Sequence, residues 1–367
     1  MSIRNAYSTK PLPDAVAELQ AALSGTDTRL VLLFASPAYD PAALSRQMKD
    51  AFPSACVVGC STAGEIAGGK MLTGSVTAMA LDSEIVSGAA AVVVPNLSAG
   101  IDLSRAFEQL EHYFQTARSD WAMDKYLGLV FADGLSGAEE RLIEKLGDST
   151  DVFFIGGSAG DDLHFQATYV YAEGKSYRDS AVLVLLRIEH GFEILKTQSF
   201  LPMGKSLLAT AVDEEQRTVI EFDHKPALVA YAEALGIPPE DAPAQFFDHP
   251  LGLMAHGEPF VRSPQRSDGR SIVFYCHIKE GMQLEVLEAT DIVADTRRAV
   301  EKHKNGRREI RGLIDFQCIL RTLQLRQEQR CEQYGEIFAG IPMVGFSTYG
   351  EAYLGHLNQT STMLLFH

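Results

Sequence analysis

Two spacings of apolar residues alternate along the chain. Short apolar, β-branched runs at 30–35, 76–81, 86–94, 181–186, 192–200 and 361–366 have the length and composition of buried strands. Between them, apolar residues recur every three or four positions, as a helix with one face on a core requires. Leu103, Ala106, Phe107, Leu110 and Phe114 after Asp102 are the clearest case, because an acid at a helix start accepts otherwise unpaired amides. Asp14 and Asp291 open comparable stretches, and another helix is expected from Asp40 to about Phe52. Further on, the pattern predicts a hairpin of 206–211 with 219–222, a helix over 226–235, and strands over 272–278 and 283–287.

One phrase recurs where strands leave the core. It reads Gly59-Cys60-Ser61-Thr62-Ala63-Gly64-Glu65, then Gly156-Gly157-Ser158-Ala159-Gly160-Asp161, then Gly345-Phe346-Ser347-Thr348-Tyr349-Gly350-Glu351. Glycines around a serine describe a sharp backbone turn that sets small polar groups at a strand end. Phe34-Ala35-Ser36 precedes the first copy and Phe131-Ala132-Asp133 the second, with Phe131 97 residues after Phe34 and Gly156 97 after Gly59. Cys318-Ile319-Leu320-Arg321 holds the corresponding place ahead of the third. The expected fold class is therefore α/β, with mixed β-sheets built from repeated α-β-α-β-β units, internally duplicated. Each strand–helix–strand step should give a parallel pair, and the last two strands of each unit an antiparallel hairpin. Pro202-Met203-Gly204 reads as a turn and boundary. It divides 25–203, with two repeat units, from 204–367, with the third unit and an irregular loop region.

Composition narrows the partners. The formal net charge of −16 lacks the basic footprint that nucleic acid demands. No apolar run reaches membrane-spanning length, and residues 1–14 have no signal-peptide core. Five cysteines without framework spacing fit reduced thiols, hence a cytoplasmic location. Sheet edges are the expected surfaces of a possible homodimer.

Taken together, the three phrases and Asp133-Gly134 resemble the FIST family, over nearly the whole chain from about Leu30 onward. The resemblance implies a FIST N-type domain, a FIST C-type domain and a sensory, non-catalytic role in signal transduction. It implies in particular the stand-alone branch that binds haem b, senses nitric oxide and regulates a histidine kinase or a cyclic-di-GMP enzyme. A haem needs an axial donor in an apolar pocket, and imidazole is the usual one in sensors. His249, between Phe246-Phe247 and Pro250-Leu251, whose rigid aromatic and proline rings can wall a flat macrocycle, is the first candidate and the expected iron ligand; His256 and His277 are the others. Ser61, Asp133, Ser158 and Ser347 are candidates for contact with a small ligand at the turns. An amino-acid or other metabolite in place of haem is the alternative. A hydrolase using a Ser or Cys of the turns (Ser61, Ser158, Ser347 or Cys60) is a further one, although the phrase departs from Gly-x-Ser-x-Gly and no histidine accompanies the repeats.

Overall fold

A computed structural model describes residues 2–25, 27–255, 257–304, 308–353 and 355–367. It is a mixed α/β structure in two compact units. One unit comprises Met1–Thr197, Thr296–His356 and Ser361–His367, and the other Gln198–Asp295 with Leu357–Thr360. The third repeat thus joins the first two in one unit despite the long insertion between them.

Each repeat forms a sheet on the same plan. In the first, Thr28–Ala35 runs parallel to Cys56–Ser61 across the helix Pro41–Ala51. Asp40 caps that helix, its carboxylate accepting from the Ala43 amide at 2.7 Å. Val76–Asp82 then lies antiparallel to Thr28–Ala35, with Ile3–Ser8 outside it. The second repeat pairs Tyr126–Ala132 with Phe154–Ser158 in parallel, flanked by Ser180–Ile188 and then Val86–Pro95. The third pairs Gly312–Cys318 with Met343–Thr348, flanked by Thr360–Phe366 and then Phe192–Gln198.

The parallel pairs are as expected, but the hairpins are not. The closing strand of each repeat pairs with the first strand of its unit rather than the second. A small hairpin stands between them in sequence and is given away to another repeat. Glu65–Ala67 with Lys70–Leu72 extends the third sheet, Val170–Ala172 with Lys175–Tyr177 the first, and Glu351–Ala352 with His356–Leu357 the second. The exchange is cyclic, so the three six-stranded sheets close on one another. The third-repeat landmark also shifts. Phe316 is the counterpart of Phe34 and Phe131, since the three stand opposite Phe346, Cys60 and Gly157. Cys318 ends the strand and Ile319–Gln327 is already helix.

Phe34, Phe131, Phe316 and Phe346 meet at the common core, all buried, with ring centroids 4.6–6.4 Å apart. Edge and tilted contacts of this kind add to the burial of aromatic area. The first glycine of each phrase is dictated here. A Cβ on Gly59 would sit 1.7 Å from the Leu33 carbonyl oxygen, on Gly156 1.9 Å from that of Val130, and on Gly345 2.3 Å from that of Asp315. Only glycine lets the paired strands come so close.

The second unit packs Tyr231, Phe222, Phe246 and Phe274 into a core of its own. The helix Ala227–Leu235 lies against the strands Phe200–Asp213, Thr218–Phe222 and Ser271–Phe274. The turn expected at Pro202-Met203-Gly204 is absent: Phe200–Asp213 runs through it, its register against Gln283–Ala289 breaking between Pro202 and Ser206. Residues 263–270 are polar and turn-like in sequence, yet within them Pro264–Asp268 forms a strand.

Candidate functional site

The three serines sit where the exchanged hairpins depart, and their hydrogen bonds lock phrase to phrase. Ser61 Oγ donates to the Gly160 carbonyl at 2.8 Å and accepts from the Tyr169 amide at 2.9 Å. The Ser158 carbonyl accepts from Thr348 Oγ1 at 2.8 Å, and its amide donates to the Gly350 carbonyl at 2.9 Å. The Ser347 amide donates to the Gly64 carbonyl at 2.7 Å, while its hydroxyl lies 2.8 Å from Thr322 Oγ1. First phrase holds second, second holds third, third holds first. All three serines are at most 2 % exposed. These bonds make the ring a structural clasp; among the described residues no base stands beside Ser61, while the Ser158 hydroxyl donates to the buried Glu139 carboxylate at 3.5 Å.

Asp133 is similarly engaged. Its carboxylate accepts from the amides of Leu135 at 3.0 Å and Asp179 at 2.5 Å and from the Thr168 hydroxyl. Nearby acids differ in environment. Burial pushes Glu65 up to about 7, against the opposing effect of hydrogen bonds from Ser75 and Thr62. Asp161 stays below the usual range because Tyr349 and three loop amides hold its carboxylate. Burial also pushes the Cys60 thiol up, which makes it a poor nucleophile. In the third repeat, burial raises Asp315 to about 6 although Tyr334 and Ser361 donate to it.

His249 belongs to the second unit. Residues 247–250 are stitched along the strand Gln283–Ala289: the Leu287 amide donates to the Pro250 carbonyl and the Ala289 amide to that of Asp248, both at 2.9 Å. His249 Nδ1 lies 3.1 Å from the Leu287 carbonyl oxygen. A carbonyl only accepts, so Nδ1 donates this hydrogen bond, and in the neutral ring Nε2 then keeps the lone pair. That is the tautomer and orientation that metal-binding imidazoles use. The ring is half-buried. Phe246, expected to wall the site, instead turns into the core, edge-on to Tyr231 at 5.4 Å. The donor fits an axial ligand, whereas Phe246 supplies no wall. His277 lies beyond the strand Ser271–Phe274 rather than on it, half-buried between Cys276 and Ile278. His256 falls outside the described residues. Among those described, no group of three or more His, Cys, Asp or Glu side chains is placed to hold a metal ion. No helix among them is long and apolar enough to cross a membrane.

A feature that the motif reading passed over lies in the first unit. A groove of about 600 Å³ runs between the helix Ser104–Phe114 and the end of the first sheet, lined by Lys49, Cys56, Gln109, Tyr113 and Glu173. It continues past Val93 and Pro95 into a second hollow of about 700 Å³. The strand Val86–Pro95 forms its floor. The signal was visible as three consecutive alanines in an uncharged run, Ala89-Ala90-Ala91.

The cyclically exchanged sheets and the buried glycine turns that lock them together make one threefold-repeated scaffold. Residues 29–225 match the FIST N domain and 227–353 the FIST C domain, so the chain belongs to the FIST family of sensory signal-transduction domains. It is similar to an uncharacterized protein, MJ1623, of Methanocaldococcus jannaschii, 27 % identical over 198 residues. That match covers 50 % of this chain and 38 % of the archaeal protein, so the chain spans well under half the length of that relative.

Proposed function

We propose that this protein is a non-catalytic sensor that binds haem b through His249 and passes its ligand state to a signalling partner, a histidine kinase or cyclic-di-GMP enzyme, in the cytoplasm. Membership of a sensory family supports the class. The observation that carries the haem reading is the His249 tautomer, with Nδ1–H held by the Leu287 carbonyl and Nε2 left as the donor. Haem held there would supply an iron centre able to take a diatomic gas such as nitric oxide. The chain's contribution is to fix the imidazole: Tyr231 Oη donates to the His249 carbonyl at 2.7 Å, tying the loop to the unit's core.

The test is the visible spectrum of protein purified from haem-replete cells. A Soret band in wild type that is lost in His249→Ala and kept in His256→Ala and His277→Ala is the expected result. Loss in one of the other two variants alone would move the axial site. No Soret band in wild type would end the haem reading and leave a sensor of an amino acid or similar metabolite.

A further inference from the structure

The repeat plan provides an internal comparison for one exposed feature. Each sheet carries at its edge the strand that precedes its repeat's closing strand in the pairing order: Ile3–Ser8, Val86–Pro95 and Phe192–Gln198. Edge strands expose unused backbone donors and acceptors, and natural proteins blunt them with charged side chains. Two of these edges follow that practice, with Arg4 on the first and Glu193 and Lys196 on the third. Val86–Pro95 has no charged residue in its ten, and it pairs with Ser180–Ile188 on one side only. This uncharged edge, which ends at Pro95, is also the one at the bottom of the groove.

We propose that the groove takes an extended apolar segment of a partner protein, which adds as a strand to the open edge of Val86–Pro95. The unused main-chain ladder specifies an extended backbone, the mode known as strand addition. The side chains of Ala89, Ala90 and Ala91 turn to the two faces of the sheet, so the edge itself presents main chain. Charges around the groove balance, with Arg29, Lys49 and Arg105 against Asp102, Glu108 and Glu173, so main-chain pairing and apolar contact dominate the selection. The floor from Ala89 to Pro95 accommodates about six residues at ~3.3 Å each. A second copy is the poorer occupant. Its own strand is recessed between the same walls, helix on one side and sheet on the other, and two recessed edges do not meet. The inference goes beyond the haem reading, and its test does not use haem.

A phage-displayed library of random twelve-residue peptides, panned on the whole protein, provides the probe. Recovered sequences should be apolar and free of proline, and a fluorescein-labelled example should bind as measured by anisotropy. Hydrogen exchange at residues 89–94 should slow when the peptide is bound. N-methylation of alternate peptide amides should weaken binding at least tenfold, which side-chain recognition alone would not require. Gln109→Trp, at an exposed position of the groove wall, should weaken it at least tenfold while leaving the urea midpoint unchanged. Failure to recover such peptides, protection mapping elsewhere, or indifference to both N-methylation and Gln109→Trp overturns the proposal. So does protection of 89–94 that rises with protein concentration alone, which would assign the edge to a homodimer.

Discussion

The close approach at Gly59, Gly156 and Gly345 yields a graded prediction. An alanine at Gly59 would bring Cβ to 1.7 Å from the Leu33 carbonyl oxygen, and at Gly156 to 1.9 Å from that of Val130. Ordinary contact lies above 3.4 Å, so the paired strands must separate by more than 1 Å or twist. The obstacle is backbone within a parallel pair, which cannot swing aside as a side chain does. Overpacking typically costs about 1–3 kcal/mol and occasionally more; these sites belong at or above the upper end, about 3 kcal/mol. Gly345→Ala, at 2.3 Å, should cost less than the other two. Gly147 is the control: it lies in the helix Glu139–Ser149 with open space at its Cβ. There alanine should stabilise by about 0.5–1 kcal/mol through helix propensity alone. Urea denaturation followed by circular dichroism measures all four. If Gly59→Ala and Gly156→Ala both fall within about 1 kcal/mol of wild type, the steric account of the phrase is wrong. A variant that is stable yet loses sensing would return those glycines to the ligand.

Two further outcomes follow from the clasp. Ser61→Ala leaves the Tyr169 amide and the Gly160 carbonyl without their shared hydroxyl, at about 1–3 kcal/mol for each group stranded. Electrophilic probes should label Ser61 and Cys60 no faster than other buried side chains, and stoichiometric labelling of either would favour the hydrolase. Glu65 is a carboxyl raised from 4.5 to about 7 by burial, so its contribution is fully present below pH 4.5 and lost as pH rises to 7. A shift of that size corresponds to about 3 kcal/mol. The stability of Glu65→Gln relative to wild type should therefore improve between those pH values and be level above 7. A pH-independent difference in urea midpoint would refute this.

The parallel strand pairs, the helices and the equivalence of Phe34 with Phe131 were legible because apolar period and strand length are local properties. Pairing across repeats was not. Glu65–Ala67 is three residues long and carries no signal that it belongs beside Met343–Thr348; only the closed core decides that. The third landmark was misplaced for a related reason, since Cys318-Ile319-Leu320 is as apolar as a strand although Ile319 begins a helix. At the site, Phe246 beside His249 suggested a wall in sequence, yet neighbours in a loop do not share a direction. Phe246 found its partner in Tyr231. The groove escaped because motif reading looks for reactive side chains, and this feature is made of alanines and backbone.

The cyclic exchange of hairpins has a consequence for the order in which the chain acquires structure. The sheet of the second repeat lacks an edge until Glu351–Ala352 has been synthesised, and the hairpin Glu65–Ala67 with Lys70–Leu72 has no partner strand until Met343–Thr348 appears. On the ribosome, residues 1–197 must therefore wait, with Phe34 and Phe131 lacking two of their core neighbours, while the intervening unit of 198–295 is made. An early release or a stop within the third repeat leaves the second sheet open and the hairpin Glu65–Ala67 with Lys70–Leu72 unpaired, although the first sheet is complete by Lys175–Tyr177. Such fragments carry unpaired edges of the kind that chaperones hold and proteases remove.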